Sequence, residues 1–505
     1  MARMNLLDIG DEYADYLHDE SRREGHAEKI TFPKSTEEVR EALRIAAKNN
    51  WPITVQGGRT GITGGCVPDG GLILNLSRMN TTGEIEGDRM TVQPGATLAD
   101  IRAAIRDSGL FFPSDLTETT ASIGGMAANN ASGARSFHYG SVRNWIDALE
   151  VVLPRGEVVR VKRGVHTASG VDFQLGSLSG KLPANPQLMK CWRFRQTPHT
   201  CAGVNSHLRR CAEEVKNAAG YYLKPDMDLV DLFIGAEGTL GVVTGITIRL
   251  LPKPERINGL TAFFASEEEA LDFVRFLRSA GSDTRPTAIE FFDFCSLELL
   301  RRMKTENAAF ADLPKLKPEF HTAIYFEYDD DVPDAVVEKV DGAIDCWIAE
   351  GEHEIETLKN FRHAIPEAVN MLIGERKKTI PELTKLGTDM SVPDPELENV
   401  MQMYHEDLAA AGLEYVIFGH IGNNHVHVNI LPRSMEEHEE GKALYLDWAK
   451  QVVAMGGSVS AEHGIGKIKI DFLKLMYGTE GIREMRKLKK RFDPRGLLNP
   501  GNLFR

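Results

Sequence analysis

Apolar residues in the first 254 positions fall into short runs separated by glycine and by stretches of helical period. The runs at 53–56, 72–76 and 90–93 predict strands. Ser35 with Glu38 three residues on is a capping-box signature, opening a helix that runs to about residue 50. Thr97 opens another, with Leu98, Ile101 and Ile105 on one face. Strands are predicted at 148–153 and 158–161, joined through Pro154-Arg155-Gly156, and again at 232–234 and 242–251. Between these pairs, 163–211 loses any sustained period, which predicts an inserted loop or small surface subdomain.

From about residue 255 the order changes. A strand at 260–264, a helix opened by Ser266, strands at 288–294 and 322–328 and an amphipathic helix at 334–350 predict an α+β layer, with helices on one face of an antiparallel sheet. A helix over 395–411 leads into a strand at 415–418 and an alternating run at 426–430. There His425, His427 and Asn429 share one face, while Val426, Val428 and Ile430 face a core. Gly422-Asn423-Asn424 predicts the hairpin turn, which places His420 beside the second strand. A basic helix from 481 closes the chain.

Composition narrows the class. A chain of 505 residues is too long for one core, so two or three domains are expected. Hydrophobic content of 42% and charged content of 26% are those of a globular protein. Lys and Arg number 59 against 73 Asp and Glu, and the net charge of −14 argues against a nucleic-acid surface. No apolar run nears the roughly 20 residues of a membrane span. The start, Met1-Ala2-Arg3-Met4-Asn5, predicts no secretory signal and a cytoplasmic protein. Cys66, Cys191, Cys201, Cys211, Cys295 and Cys346 form no C-x-x-C pair, so reduced thiols and no iron–sulfur cluster are expected.

The histidine hairpin carries candidate chemistry. A lone buried histidine is usually a hydrogen-bonded core residue. Here His420, His425 and His427 lie together, with Glu462-His463 downstream. Imidazoles and a carboxylate on rigid backbone suit a divalent metal with an open position. Glycine adds a second signal. The run Gln56-Gly57-Gly58-Arg59-Thr60-Gly61-Ile62-Thr63-Gly64-Gly65 follows a strand and lets backbone amides approach an anion. It is neither a Walker loop nor a G-x-G-x-x-G fingerprint. Small-residue runs at 122–133 and 235–244 repeat the theme, and three such stretches suit a long ligand with a diphosphate in its middle.

In order, Q-G-G-R-T-G-I-T-G-G, S-I-G-G-M-A-A-N-N-A-S-G, Y-G-S-V-R-N and F-I-G-A-E-G-T-L-G-V-V-T resemble FAD-binding oxidoreductases of the vanillyl-alcohol oxidase (PCMH) type. The G-H-x-G-x-x-x-x-H run, A-E-H-G-I-G and F-D-P-R-G-L-L-N-P-G-N resemble one branch of it. That branch holds D-lactate dehydrogenase, the glycolate oxidase flavin subunit and D-2-hydroxyglutarate dehydrogenase. The resemblance implies an α+β protein: a PCMH-type FAD-binding domain over 1–254 with the insert at about 163–211, a ferredoxin-like substrate (cap) domain over 255–480, and a segment over 481–505 returning to the FAD site.

Site roles follow from the resemblance residue by residue. Gln56, Gly57, Gly58, Arg59, Thr60, Gly61, Gly64 and Gly65 would hold the FAD pyrophosphate. Pro113, Gly124, Gly125, Asn129, Ser132 and Gly133 would line the flavin and its ribityl chain. Gly140, Glu237, Gly241 and Val242 would contact the adenine half, and Asn499 would close the site. The first loop has no histidine, so non-covalent FAD is expected. His420, His427 and Glu462 become the ligands of zinc, manganese or iron, and His463 the catalytic base. Asn429 matches a substrate-contacting asparagine, Arg362 the arginine that grips the substrate carboxylate, with a plain ion pair as its alternative. Lys385 is a further candidate, counted from the D-x-S-x-P run that begins at Asp389. His425 stands where relatives carry asparagine, on the site face, open to contact with substrate or metal.

The implied activity is oxidation of a D-2-hydroxy acid to the 2-oxo acid. The alternatives are a non-redox flavoenzyme of the alkyl-glycerone-phosphate synthase type and a flavin electron-transfer subunit. Electrons would leave to a separate acceptor: an electron-transferring flavoprotein, an iron–sulfur subunit or a quinone-linked protein. Peripheral membrane attachment through that acceptor and a homodimer are both compatible with this reading.

Overall fold

Parallel strands need a crossover, and the first helix supplies one. Strands β1 (Lys29–Thr31), β2 (Ile53–Gln56) and β3 (Leu72–Asn75) pair in parallel in the order β1-β3-β2, with helix α1 (Thr36–Asn49) between β1 and β2. Ser35 Oγ accepts from Glu38 N at 3.3 Å to start α1, and left-handed Asn50 ends it. A second, antiparallel sheet contains β4 (Thr82–Glu86), β5 (Arg89–Val92), β6 (Ile146–Val152), β7 (Val158–Lys162) and β8 (Val242–Arg249), in the order β4-β5-β8-β6-β7. Val39 and Leu43 of α1 share one apolar cluster with Leu72 and Leu74 of the first sheet and Val152 and Val242 of the second.

The computed structural model describes residues 5–184, 215–279, 285–350 and 352–505, and a short ladder between Phe194–Arg195 and Ala212–Glu213. Cys191, Cys201, Cys211 and most of the predicted insert lie outside these residues. Within the insert's described part, Asp172–Leu175 and Leu178–Lys181 form a hairpin, and Phe173 stacks on Phe492 at 5.7 Å. Among the described residues Cys66, Cys295 and Cys346 are free thiols, and no helix is long and apolar enough to cross a membrane.

The second half builds an antiparallel sheet of seven strands. These are β9 (Ile257–Phe264), β10 (Ala288–Phe292), β11 (Thr322–Asp329), β12 (Asp345–Glu350), β13 (Leu386–Gly387), β14 (Tyr415–His420) and β15 (His425–Ile430). They lie in the order β12-β9-β11-β10-β14-β15-β13. Helices α2 (Glu267–Ser279), α3 (Phe294–Glu306), α4 (Glu352–Lys377) and α5 (Leu397–Ala411) cover both faces, not one as the pattern predicted. Ala323 and Tyr325 of β11 pack with α3 and α4, whereas Ile324 and Phe326 pack with α2 and α5. A strand buried on both sides loses its polar alternation, which is why β11 reads as an almost continuous apolar run.

Three predicted elements change. The helix expected over 334–350 stops at Val340, and β12 follows, paired with β9 as an edge strand. Gly342 weakens helix continuation, and the pairing decides the rest. The strand expected at 232–234 is a short helix, Val230–Phe233, whose residues are all buried, so no periodicity distinguished the two. The closing helix α6 (Ile470–Phe492) starts earlier than expected and kinks at Gly478 (φ 66°). Beyond it the chain end lies along β2: Ile53 N donates to Leu497 O and Asn499 N to Ile53 O, both at 2.7 Å.

Asp293 caps α3, accepting from Ser296 N at 2.7 Å through Oδ1, while Oδ2 is buried with no partner. Burial pushes its pKa up to about 6. A carboxyl raised this way contributes stability that is present at low pH and lost as pH rises through about 6. The melting temperature of the native protein minus that of Asp293→Asn should therefore fall between pH 4.5 and 7, by an amount equivalent to on the order of 2 kcal/mol. A difference independent of pH would remove this assignment.

Candidate active site

The three glycine-rich loops meet around one cavity of about 350 Å³. Gln56, at the end of β2, anchors the first loop by donating from Nε2 to Tyr16 O at 2.8 Å and Cys66 O at 2.9 Å. Ser122 caps the helix Ile123–Asn129, and its hydroxyl accepts from Gly125 N and from Gly58 N of the first loop, at 3.3 and 3.1 Å. The loops approach this closely because side chains are missing. A Cβ on Gly57 would lie 2.1 Å from Ser122 Oγ, and one on Gly133 2.0 Å from Asp115 O. Gly61 instead has open space around it.

Two buried side chains lock the loops to the C-terminal segments. Asn499 Oδ1 accepts from Val55 N, and its Nδ2 donates to Glu237 O, both at 2.7 Å. The Glu237 carboxylate accepts from Ile465 N at 2.7 Å and Gly466 N at 2.9 Å. Burial raises its pKa, and these backbone donors pull the other way. Glu237 lines the cavity, yet its carboxylate ties the third loop to the segment that carries His463.

Of the expected cofactor residues, Gln56, Gly57, Gly58, Arg59, Thr60, Gly61, Gly65, Gly124, Gly125, Asn129, Ser132, Gly133, Glu237, Gly241, Val242 and Asn499 line this cavity. Gly64, Pro113 and Gly140 do not. Gly140 (φ 76°) ends the short helix Ser136–Tyr139, a backbone task that explains the glycine without a ligand. A cavity walled by three glycine-rich loops, with open space at Gly61, fits FAD.

His420, His463 and Glu462 line the same cavity. His420 and His425 pair directly across β14 and β15, as do Phe418 and His427. Gly419 (φ 126°) permits this, since a Cβ there would lie 2.8 Å from His427 Cδ2. His420 Nδ1 is 2.6 Å from Glu290 Oε1, and His427 Nδ1 is 3.0 Å from Thr388 O. Both contacts turn the Nε2 atoms toward Glu462, at 3.4 and 3.5 Å. Ligand atoms of His420, His425, His427 and Glu462 all lie within 4.8 Å of one another. Two imidazoles oriented by outer hydrogen bonds, and a carboxylate, fit a divalent ion. Burial disfavours charge on His420, but Glu290 outweighs it and raises the ring's pKa.

Exposure separates the other two rings. His463 lines the cavity with its side chain 29% exposed, whereas His425 is fully buried and does not reach it. His463 Nδ1 lies 3.4 Å from Asp389 Oδ2. Asp389 also accepts from the backbone of Glu462 and His463, both at 3.1 Å, and from Lys469 Nζ and Ser460 Oγ, both at 2.6 Å. Burial opposes its charge, but His463, Lys469 and the hydrogen bonds hold its pKa well below the usual range. His425 sits between Asp389 Oδ1, at 3.2 Å, and Lys216 Nζ, also at 3.2 Å. Burial, the Lys216 ammonium and His427 keep its pKa well below the ordinary histidine value.

Sequence reasoning missed Asp389 and Lys216. The D-x-S-x-P run was the available signal for Asp389; nothing in the pattern marked Lys216. Arg362 extends from α4 to Thr117 Oγ1 at 3.2 Å and faces buried Glu290 and Tyr325. Asn429 is buried on the histidine face of β15, beside Gly387. Lys385 lies half-buried just before β13, its pKa lowered by burial and by Arg22. None of these three lines the cavity.

Residues 27–162 match the FAD binding domain family and residues 253–503 the FAD linked oxidases, C-terminal domain family. The chain is 30% identical over 482 residues to the probable mitochondrial D-lactate dehydrogenase of Danio rerio, covering 94% of this chain and 84% of that protein. It is 29% identical over 486 residues to glycolate oxidase subunit GlcD of Bacillus subtilis (94% and 88% covered), and 28% identical over 491 residues to D-2-hydroxyglutarate dehydrogenase of Stutzerimonas stutzeri (94% and 90%). A solved alkyldihydroxyacetonephosphate synthase shares the fold, with a TM-score of 0.63 at 16% identity over 98% of this chain and 82% of that one. The chain is therefore a member of the FAD-linked oxidase family, with an FAD-binding domain of PCMH type.

Asn499→Ala removes both bonds that join β2 to the third loop. Two buried backbone groups are left unpaired, each costing roughly 1–3 kcal/mol. The variant should melt several degrees lower and lose FAD on gel filtration under conditions where the native protein stays yellow. Full FAD retention would show that this closure does not hold the cofactor.

Proposed function

We propose that this protein is an FAD-dependent dehydrogenase that oxidises a D-2-hydroxy acid of the lactate, glycolate or 2-hydroxyglutarate kind to the 2-oxo acid. The observation that carries the reading is that His420, Glu462 and His463 open onto the same cavity as the glycine loops. When bound, FAD supplies the hydride acceptor and a divalent ion supplies Lewis acidity at the substrate hydroxyl.

His420, His427 and Glu462 would hold the ion. His463 takes the hydroxyl proton as general base, because it alone of the buried rings beside Asp389 reaches the cavity. Asp389 holds the His463 ring through Nδ1 and stabilises the imidazolium once the proton has arrived. Arg362, which touches the cavity residue Thr117, binds the carboxylate end, the arginine fork being suited to that shape; Asn429 and Lys385, set back from the cavity, are weaker candidates for the same end. The electrons leave to a separate acceptor protein.

Anaerobic addition of a panel of D- and L-2-hydroxy acids tests the activity directly: the yellow flavin absorbance should bleach with at least one D-enantiomer. A flavin that stays oxidised with every member would end the dehydrogenase reading. His427→Ala and Glu462→Ala should lose bound metal, measured by elemental analysis, while keeping FAD; full turnover without metal would show the ion is not required. Asp389→Asn should lower kcat by about 100-fold, the scale of a positioned acid–base pair, and alter its pH profile. Unchanged kcat and profile, with FAD retained, would remove Asp389 from the mechanism.

A further inference from the structure

Lys216 has a fixed backbone and a buried ammonium. Its carbonyl accepts from Ser391 Oγ at 2.6 Å. The next residues are tied to the segment before Glu462, Ala218 N donating to Ser460 O at 2.8 Å and Ser458 Oγ to Asn217 Oδ1 at 2.9 Å. The side chain, 7% exposed, brings Nζ to 2.6 Å from Glu462 Oε2 and 3.2 Å from His425 Nδ1.

The two oxygens of Glu462 face different groups. Oε1 looks toward His427 Nε2 and His463 Nε2, at 3.5 and 3.4 Å. Oε2 is approached by His420 Nε2 at 3.4 Å and is already taken by the ammonium. A divalent ion shared by His420, His427 and Glu462 meets a second cation on the same carboxylate. In a site with little water that repulsion is poorly screened. His425 offers the ammonium another seat: a lysine ammonium only donates, so Nδ1 is the acceptor of that contact.

Resting on the metal reading above, we propose that Lys216 is a built-in competitor for the metal. Its ammonium and the divalent ion contend for Glu462, so that Lys216 holds metal affinity below what the three ligands would otherwise give. With the ion bound, the ammonium shifts its hydrogen bond to His425. This gives a purpose to a histidine that neither reaches the cavity nor serves as the base.

FAD-loaded protein is stripped with a chelator, and zinc or manganese is titrated back against a chromophoric competitor. Lys216→Gln and Lys216→Met, with FAD content and melting temperature checked, should bind the ion about tenfold more tightly or better, the scale on which groups touching metal ligands change affinity. Lys216→Arg, which keeps the charge, should not tighten it. Lys216→Gln retains a donor for Glu462 and serves if the methionine variant does not fold. Metal bound only by Lys216→Gln, and not by the native chain, also supports the proposal. Equal or weaker affinity in the neutral variants overturns it, while native binding that His427→Ala abolishes leaves the metal reading standing. No binding by any form overturns both.

Discussion

A carboxylate out of reach of water stays charged only when donors surround it, and Asp389 meets that condition through one distant stretch of chain. It sits 1% exposed just after β13 and collects the backbone N–H groups of Glu462 and His463, 73 and 74 positions further on, with the Lys469 ammonium and the Ser460 hydroxyl. Ser391 and Ser458 exchange two backbone bonds beside it, at 3.1 and 2.9 Å. These contacts set where the Glu462-His463 turn lies against the histidine hairpin. Glu462 is thereby turned toward His420 and His427, and His463 toward the cavity.

Glu237 makes the second joint. Its carbonyl is held by Asn499 and its carboxylate by Ile465 and Gly466, so one residue couples a glycine loop to the turn that Asp389 positions. Gly466 completes the link, because a Cβ there would lie 2.2 Å from Thr63 O in the first loop. The glycine loops and the segment that follows Glu462-His463 thus share hydrogen bonds. A displacement of either is felt by the other without any change in the residues that touch ligand.

Local period and capping chemistry were enough for much of this fold. The helix Leu98–Ile105 opens at Thr97 as expected, whereas the capping box read at Ser35 is half-formed, Glu38 accepting from Lys34 N and not from Ser35 N; β15 alternates as read, with Val426, Val428 and Ile430 in the core opposite His425 and His427. The failures have separate causes. Leu232 and its neighbours are buried on all sides and carry no period to read, while the 345–350 strand, with Ile348 exposed, is decided by its pairing with β9. Site residues divide the same way. Histidines on one hairpin face declare themselves through spacing. Lys216 and Asp389 matter because of partners hundreds or dozens of residues away; a single lysine has no spacing to betray that, and the D-x-S-x-P run marks Asp389 without showing what it holds.

The two histidines outside the His420–His427–Glu462 set show how far burial decides chemistry. Both lie beside Asp389, within 3.4 Å of one of its oxygens. A general base must reach the proton it removes, and then carry charge. His463 has the cavity on one side and an anion on the other, so both requirements are met. His425 has no opening, and its neighbours include an ammonium, so charging it would place two cations together in the core. Sequence left His425 open to substrate or metal; in the structure it is fully buried between Asp389 and Lys216, while His463 keeps the cavity beside it.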